Sequence, residues 1–255
     1  MRKSLKIFYS AVWWIWAFID ACILIIFAFL IFIVAYPFDP KRKAEHIYST
    51  FWALHFFWFN PFWRIKYECK AKIDRNKTYV IVCNHQSMFD ICLTYKIPLV
   101  FKWVSREEIF RLPFVGWMLK MHGDISIKRG DGQSARDMLK QASAWFDKGC
   151  SVSIFPEGTR SDDGKIHDFK EGAFMMAKLC KMPIIPVVVE GTARMFPPRN
   201  FNIGGCATAQ IRVLPVIEAD TVASMKTREL SKMLHELMLA EHKKMAPEKY
   251  AASTE

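Results

Sequence analysis

No pair of cysteines stands at CxxC spacing: the seven cysteines, Cys22, Cys69, Cys83, Cys92, Cys150, Cys180 and Cys206, are odd in number and scattered. That pattern excludes a zinc ribbon, a CxxC redox centre and a disulfide framework, and fits buried thiols in a reducing compartment. The chain also lacks a GxSxG elbow, so a serine nucleophile presented at a strand-to-helix turn is excluded. An HExxH zinc site fails on one residue, because His235-Glu236 is followed at the second ligand position by Leu239. No metal site is expected. Internal repeats and low-complexity linkers are missing as well, which leaves one large domain with a short appendage as the organisation for 255 residues at 52% hydrophobic content.

The charge is one-sided. A net charge of +11 would suit nucleic acid, an anionic lipid surface or an acidic small substrate. No nucleic-acid module accompanies it, and the aromatics sit in apolar runs instead of alternating with Arg or Lys as a stacking platform requires. Nucleic acid is therefore not an expected partner, and lipid is favoured by the N-terminus. Seven of the nine tryptophans lie before residue 104, and an apolar run from Ala11 to Tyr36 carries a single charge, Asp20. Such a run is long enough to cross a hydrocarbon core of roughly 30 Å. A cleaved signal peptide would have an apolar core of about 7 to 15 residues and a small-residue cleavage site, whereas this run continues into Pro37 and Asp39.

Arg2, Lys3 and Lys6 precede the run and Lys41, Arg42 and Lys43 follow it, so the positive-inside rule gives no orientation. The next segment, Ile47 to Trp63, is rich in Phe and Trp, as befits a membrane interface. Residues 1–67 therefore read as a two-helix membrane anchor, re-entrant or spanning, with a single straight span as the competing reading. Residues 68–246 form the remaining domain, and 247–255 a polar, frayed tail.

Strand-like runs follow at Tyr79–Cys83, Pro98–Trp103, Asp124–Ile127, Ser151–Phe155, Ile184–Glu190 and Ala209–Val216, with helical patterns between them. The clearest helix is Ser134–Asp147, where Met138, Leu139, Ala142 and Trp145 recur at helical spacing and Gly149 stands past the end. A last amphipathic helix covers about Lys226–Lys244. This alternation predicts an α/β domain with a mainly parallel sheet flanked by helices, and such sheets gather their functional groups at the carboxyl ends of strands.

Two motifs sit at such ends. In Asn84-His85-Gln86-Ser87-Met88-Phe89-Asp90 the imidazole and the carboxylate are five residues apart, about 500° around an ideal helix, so they cannot meet on one straight helix. They meet if His85 lies in the loop and Asp90 in the first turn of the next helix. Two readings fit: Ser87 with Asp90 as a capping box, or Asp90 fixing the tautomer of a general base at His85. Cys83 reads as a core thiol beside it. In Phe155-Pro156-Glu157-Gly158-Thr159-Arg160-Ser161, Gly158 permits a tight turn with exposed N–H groups and Arg160 can bind a phosphate bidentately. The plainer reading of that segment is a turn with a surface ion pair.

Four blocks in order resemble the PlsC-type glycerolipid acyltransferases, the 1-acylglycerol-3-phosphate acyltransferases, over about residues 65–220. They are Asn84–Asp90; Gly123–Arg129, preceded by Arg106–Ile109 and Pro113–Trp117; Phe155–Ser161 with Phe169–Ala173; and Pro183–Thr192. The resemblance implies His85 as general base on a lysophospholipid hydroxyl, Asp90 as its orienter, and direct attack on the thioester of acyl carrier protein or acyl-CoA, with no other cofactor. It implies that Arg129 and Arg160 hold the acceptor's phosphate with Lys170 nearby, that Glu157 positions the glycerol, and that Gly158 and Thr159 complete the substrate site. It also implies a membrane location with the catalytic domain on the cytoplasmic face, as at a bacterial inner membrane. Ser126 and Lys128 stand where members often carry Phe and Asp, and Arg106 where many have Lys. The alternatives are acyl transfer to another lyso-lipid such as a lyso-ornithine lipid, thioester hydrolysis, and non-catalytic binding of anionic lipid.

Overall fold

The computed structural model describes residues 3–198 and 201–251; Arg2 and the last four residues of the expected tail lie outside the described residues. Two helices, α1 (Lys3–Ala35) and α2 (Lys43–Trp58), open the chain. There follow β1 (Trp63–Cys69), β2 (Val80–Cys83), α3 (Phe89–Thr94), β3 (Phe101–Arg106), α4 (Val115–His122), β4 (Ile125–Ile127), α5 (Gly132–Asp147) and β5 (Ser151–Ile154). The order closes with α6 (Gly172–Leu179), β6 (Ile184–Glu190), α7 (Thr192–Met195), β7 (Ala207–Val213), α8 (Ala219–Ser224) and α9 (Thr227–Met245).

The seven strands form one sheet in the order β1-β7-β6-β2-β5-β3-β4. From β6 to β4 every neighbour is parallel. β7 joins β6 antiparallel and carries β1 parallel to itself. The expected mainly parallel α/β sheet is thus present. β6, read as a continuous apolar run, is buried at every position, as a central strand covered on both faces must be. In β2 the strand period of two divides the side chains: Val80 and Val82 pack with Met138, Phe174 and Leu234 of α5, α6 and α9, whereas Ile81 and Cys83 pack with Phe57, Phe89 and Leu93 of α2 and α3. Cys83 is therefore a core residue, and burial pushes its thiol pKa up. The helix expected at 134–147 begins two residues earlier, where Asp131 accepts the N–H groups of Gln133 and Ser134.

Sequence reasoning missed β1. Its alternating Trp-Arg-Ile-Lys-Tyr-Glu-Cys follows directly on the aromatic end of the expected anchor, and the strand crosses the expected boundary at residue 67. The anchor itself is corrected: among the described residues one helix, not two, is long and apolar enough to cross a membrane, at Ile7–Ala35. The 16 residues of α2 rise only about 24 Å, and one face of α2 belongs to the domain. His46 Nδ1 lies 3.1 Å from His122 Nε2, whose Nδ1 is 2.7 Å from Asp124 Oδ1. That carboxylate also accepts the N–H of Trp103 at 2.7 Å, so a buried polar chain ties α2 to α4 and β3. Asp20, the lone charge of the apolar run, is 3.0 Å from His55 Nε2 on α2.

The described part of the expected tail, residues 247–251, returns to the domain instead of fraying. Pro247–Lys249 form a 3-10 turn that brings Lys249 and Tyr250 back onto the domain.

Candidate active site

Strand β2 lies between β6 and β5, and its carboxyl end carries His85. Both neighbours contribute at that end. Past Cys83 the side chain of Asn84 continues the ladder: its Nδ2 donates to Val189 O at 3.0 Å and its Oδ1 accepts from Val189 N at 2.8 Å. A carboxamide here imitates a peptide and holds the loop to β6 after the backbone has turned away. On the other side, Glu157 accepts the backbone N–H of His85 on Oε1 at 2.9 Å, and Ser161 N donates to His85 O at 2.8 Å. Both backbone groups of His85 are thereby fixed by the segment after β5.

The dyad meets across the loop-to-helix junction that the spacing demanded. His85 Nδ1 is 2.8 Å from Asp90 Oδ2, the same oxygen that accepts the N–H of Ser87 at 2.7 Å and that of Gln86. Thr192 Oγ1 donates to Oδ1. Four donors therefore converge on a carboxylate with no exposed surface. The capping and orienting readings share this carboxylate: from the first turn of α3, Asp90 takes the N–H groups of the loop residues Gln86 and Ser87 as well as the imidazole, while Ser87 Oγ accepts the N–H of Phe89 at 3.3 Å. With Nδ1–H directed at Asp90, the lone pair of Nε2 is the free base. Ser87 does not compete for it, because its Oγ donates to Phe196 O at 2.7 Å. The ring of Phe155 stacks on the imidazole, with centroids 3.9 Å apart and planes 10° from parallel, and Trp103 stacks behind Phe155. This backing fixes the ring plane.

Among the substrate-binding candidates, the structure brings Glu157, Gly158, Thr159, Arg160 and Lys170 together at the β5 end. Glu157 is buried and faces inward, its second oxygen accepting His167 N at 3.3 Å. Burial pushes its carboxyl up to about 8, and the two N–H donors offset that only in part. Gly158 turns at φ +71°, and a β-carbon there would lie 3.1 Å from Lys170 Nζ, so the ammonium rests on the turn. Thr159 is exposed and Arg160 half-buried. Arg129 stands apart: it follows β4 at the sheet edge, three strands from β2, or about 14 Å at the usual strand spacing. Neither Arg129 nor Arg160 has an ion-pair partner among the described residues, whereas Arg111, Arg194 and Arg212 are each held by a carboxylate. The unpaired guanidinium of Arg160 and the ammonium of Lys170 thus lie on the turn that holds His85, while Arg129 lies farther out at the sheet edge.

The acyltransferase family pattern matches residues 64–190, which takes in the dyad and the whole β5 turn. Over 183 residues the chain is 36% identical to a chloroplastic 1-acyl-sn-glycerol-3-phosphate acyltransferase of Arabidopsis thaliana, covering 69% of this chain and 51% of that one. The chain belongs to the PlsC-type glycerolipid acyltransferase family. A 1-acyl-sn-glycerol-3-phosphate acyltransferase of Salmonella typhimurium is 27% identical over 210 residues, which is 79% of this chain and 80% of that protein. Among solved structures, the 1-acyl-sn-glycerophosphate acyltransferase PlsC from Thermotoga maritima shares the fold, with a TM-score of 0.78 at 22% identity over 96% of this chain and 98% of the other. The chain spans about half the length of the curated plant and algal relatives it matches. The acyltransferase match ends at Glu190, so Thr192, which completes the cradle of Asp90, lies just past it. Thr192 closes the fourth sequence block, yet nothing in its position there marks it as a partner of Asp90. Phe155 likewise escaped notice, because an aromatic at the end of a strand reads as core.

Proposed function

We propose that this chain transfers an acyl group from a thioester of acyl carrier protein or coenzyme A to the sn-2 hydroxyl of 1-acylglycerol 3-phosphate, giving phosphatidic acid. The observation that carries this reading is the His85–Asp90 pair, locked in one tautomer with Nε2 free and the nearest serine hydroxyl already engaged. Nε2 removes the proton as the acceptor oxygen attacks the thioester carbonyl. The tetrahedral intermediate then expels the thiolate, which takes the proton back from the imidazolium. One C–O bond forms, one C–S bond breaks, and the base is restored.

Arg160 and Lys170 offer charge to the acceptor's phosphate, with Arg129 reaching in from the sheet edge. Glu157 at a pKa of about 8 is largely protonated at neutral pH and adds little repulsion to a phosphate beside it. For location, α1 is held to the catalytic domain near its start, where Trp14 Nε1 donates to Phe201 O at 2.7 Å and Ile203 N to Ser10 Oγ at 2.9 Å, and near its end through Arg42, just before α2, which donates to Met121 O at 3.0 Å and lies 5.6 Å over the rings of Phe32 and Tyr36. A helix tied down at both ends supports an anchor in one leaflet, with the site on the cytoplasmic side where soluble thioesters are found.

The test supplies the purified protein with labelled acyl donor and lysophosphatidate. Wild-type protein should form phosphatidic acid, and His85→Ala should lose about 10²- to 10⁴-fold in rate, the usual contribution of a general base. A loss of tenfold or less would reduce His85 to a positional role. Free fatty acid released at the same rate without acceptor would identify a hydrolase, and binding without turnover across several lyso-acceptors a lipid-binding protein.

A further inference from the structure

The residue beside the catalytic histidine reaches away from the substrate. Gln86 is fully buried, and its Nε2 donates to Glu190 Oε2 and to Gly164 O, each at 2.9 Å. Glu190 ends β6 and is itself without exposed surface. Its Oε2 also accepts His242 Nε2 at 2.8 Å and Lys249 Nζ at 2.6 Å, while Oε1 accepts Arg194 Nη2 at 3.0 Å. Burial alone would raise this carboxyl, but the hydrogen bonds from His242, Lys249 and Gln86 outweigh it and hold the pKa at about 2.

Among the described residues Gln86 Oε1 is buried without a partner, but the outer ring of this network is fully engaged. With Nε2–H on Glu190, the Nδ1 of His242 accepts the hydroxyl of Tyr250 at 2.7 Å, and the tyrosine oxygen in turn accepts Ile166 N at 3.2 Å. Lys249 Nζ reaches Gly164 O at 3.2 Å, the carbonyl that Gln86 also holds. Gly164 lies a few residues beyond Ser161, whose N–H binds His85 O. The last turn of α9 and the 3-10 turn after it are thus connected to both sides of the catalytic loop through one carboxylate.

We propose that Glu190, clasped by His242 and Lys249 from the C-terminal segment, is a positioning residue for the catalytic loop: it fixes Gln86 and so presents His85 to the acceptor hydroxyl. This rests on His85 acting as general base. No side chain of the clasp faces the reacting atoms, so its loss should lower turnover and leave binding intact. Leucine at 242 keeps most of the volume but neither nitrogen, whereas glutamine can place an amide N–H where Nε2 stands.

The experiment compares wild type, His242→Leu, His242→Gln and Lys249→Met as full chains in detergent. Backbone hydrogen exchange is followed in peptides covering 84–90 and, as a control, in α5. In His242→Leu the 84–90 amides should exchange at least tenfold faster with α5 unchanged, kcat should fall at least tenfold, and KM for donor and acceptor should stay within about twofold. His242→Gln should recover most of both readouts. Lys249→Met, which removes the ammonium at the partly exposed rim of the clasp and leaves His242 in place, should show the same pattern at about a third of the size and serves if the leucine variant does not fold. Unchanged exchange at 84–90, or acceleration spread equally over α5, would overturn the proposal. So would a rise in KM that accounts for the lost activity. An inactive wild type would refute the proposed function alone, since the exchange readout needs no substrate.

Discussion

Glu157 directs its carboxylate at two backbone N–H groups, His85 on one oxygen and His167 on the other, and this inward direction separates its role from that of the cations around it. A charged group so placed gives up water for two neutral donors, which is why its pKa is driven to about 8 from the ordinary 4.5. The sign of the pH effect follows. The folded protein binds this proton more tightly than the unfolded chain, so the stability tied to it is fully present below about pH 4.5 and is lost as pH rises through about 8. Glu157→Gln removes the titration but sets an amide N–H against one of the two N–H donors, so the variant should be less stable than wild type at pH 5.5. The gap should close or reverse by pH 9. Thermal unfolding at a series of pH values checks this, and parallel curves for the two proteins would mean that Glu157 titrates as an ordinary surface acid.

Elements differ in how openly the sequence declares them. Helix α5 carries its own start at Asp131, its stop at Gly149 and a stripe of Met138, Ala142 and Trp145, all within one stretch, and the sequence locates it to within two residues. Strand β6 is legible because a run buried on both faces is apolar throughout. The dyad is legible for the same local reason, with both partners five residues apart in a strand-loop-helix junction. What stayed hidden joins distant segments: Thr192 meets Asp90 across 102 residues, and Gln86 meets His242 across 156. The turn between Glu190 and Thr192 depends on Gly191, at φ +88°, where any β-carbon would lie 2.2 Å from Thr208 O, a constraint set by β7 and invisible locally. Asp20 belongs to the same class. Read alone it interrupts an apolar helix; in the fold it pairs with His55 and sets the register of α1 on α2. His55→Leu should therefore destabilise the protein by leaving Asp20 without its partner, and Asp20→Leu combined with His55→Leu should restore much of the loss. A double-mutant cycle on thermal unfolding in detergent should return a coupling of about 0.5–3 kcal/mol. Additivity within about 0.5 kcal/mol would show that the contact does not set the register.

For the whole molecule, the question is how a chain with a net charge of +11 and a 33-residue apolar helix sits at a bilayer. The outward face of α1, including Ile15, Phe18, Ile19, Ile26 and Leu30, is exposed, which matches a helix solvated by lipid. Its inward face meets α2 and the domain, and the contacts of Ser10, Trp14 and Arg42 place protein beside both ends. A helix of this length reaches about 50 Å if straight, so a perpendicular crossing would carry one of those domain contacts through hydrocarbon with its polar groups. An anchor lying in a single leaflet avoids that cost, and the basic surface adds attraction to anionic headgroups. The two geometries differ in which ends face the aqueous phase outside. Protein carrying Ser4→Cys or Phe38→Cys, bound to preformed vesicles from outside, should be labelled at both positions by a membrane-impermeant maleimide, with site-resolved mass spectrometry separating these thiols from the native cysteines. Ser4 and Phe38 are both exposed, Phe38 at 86%, so the protein itself shields neither. Labelling at one end and protection at the other until the vesicles are lysed would show that α1 crosses the bilayer.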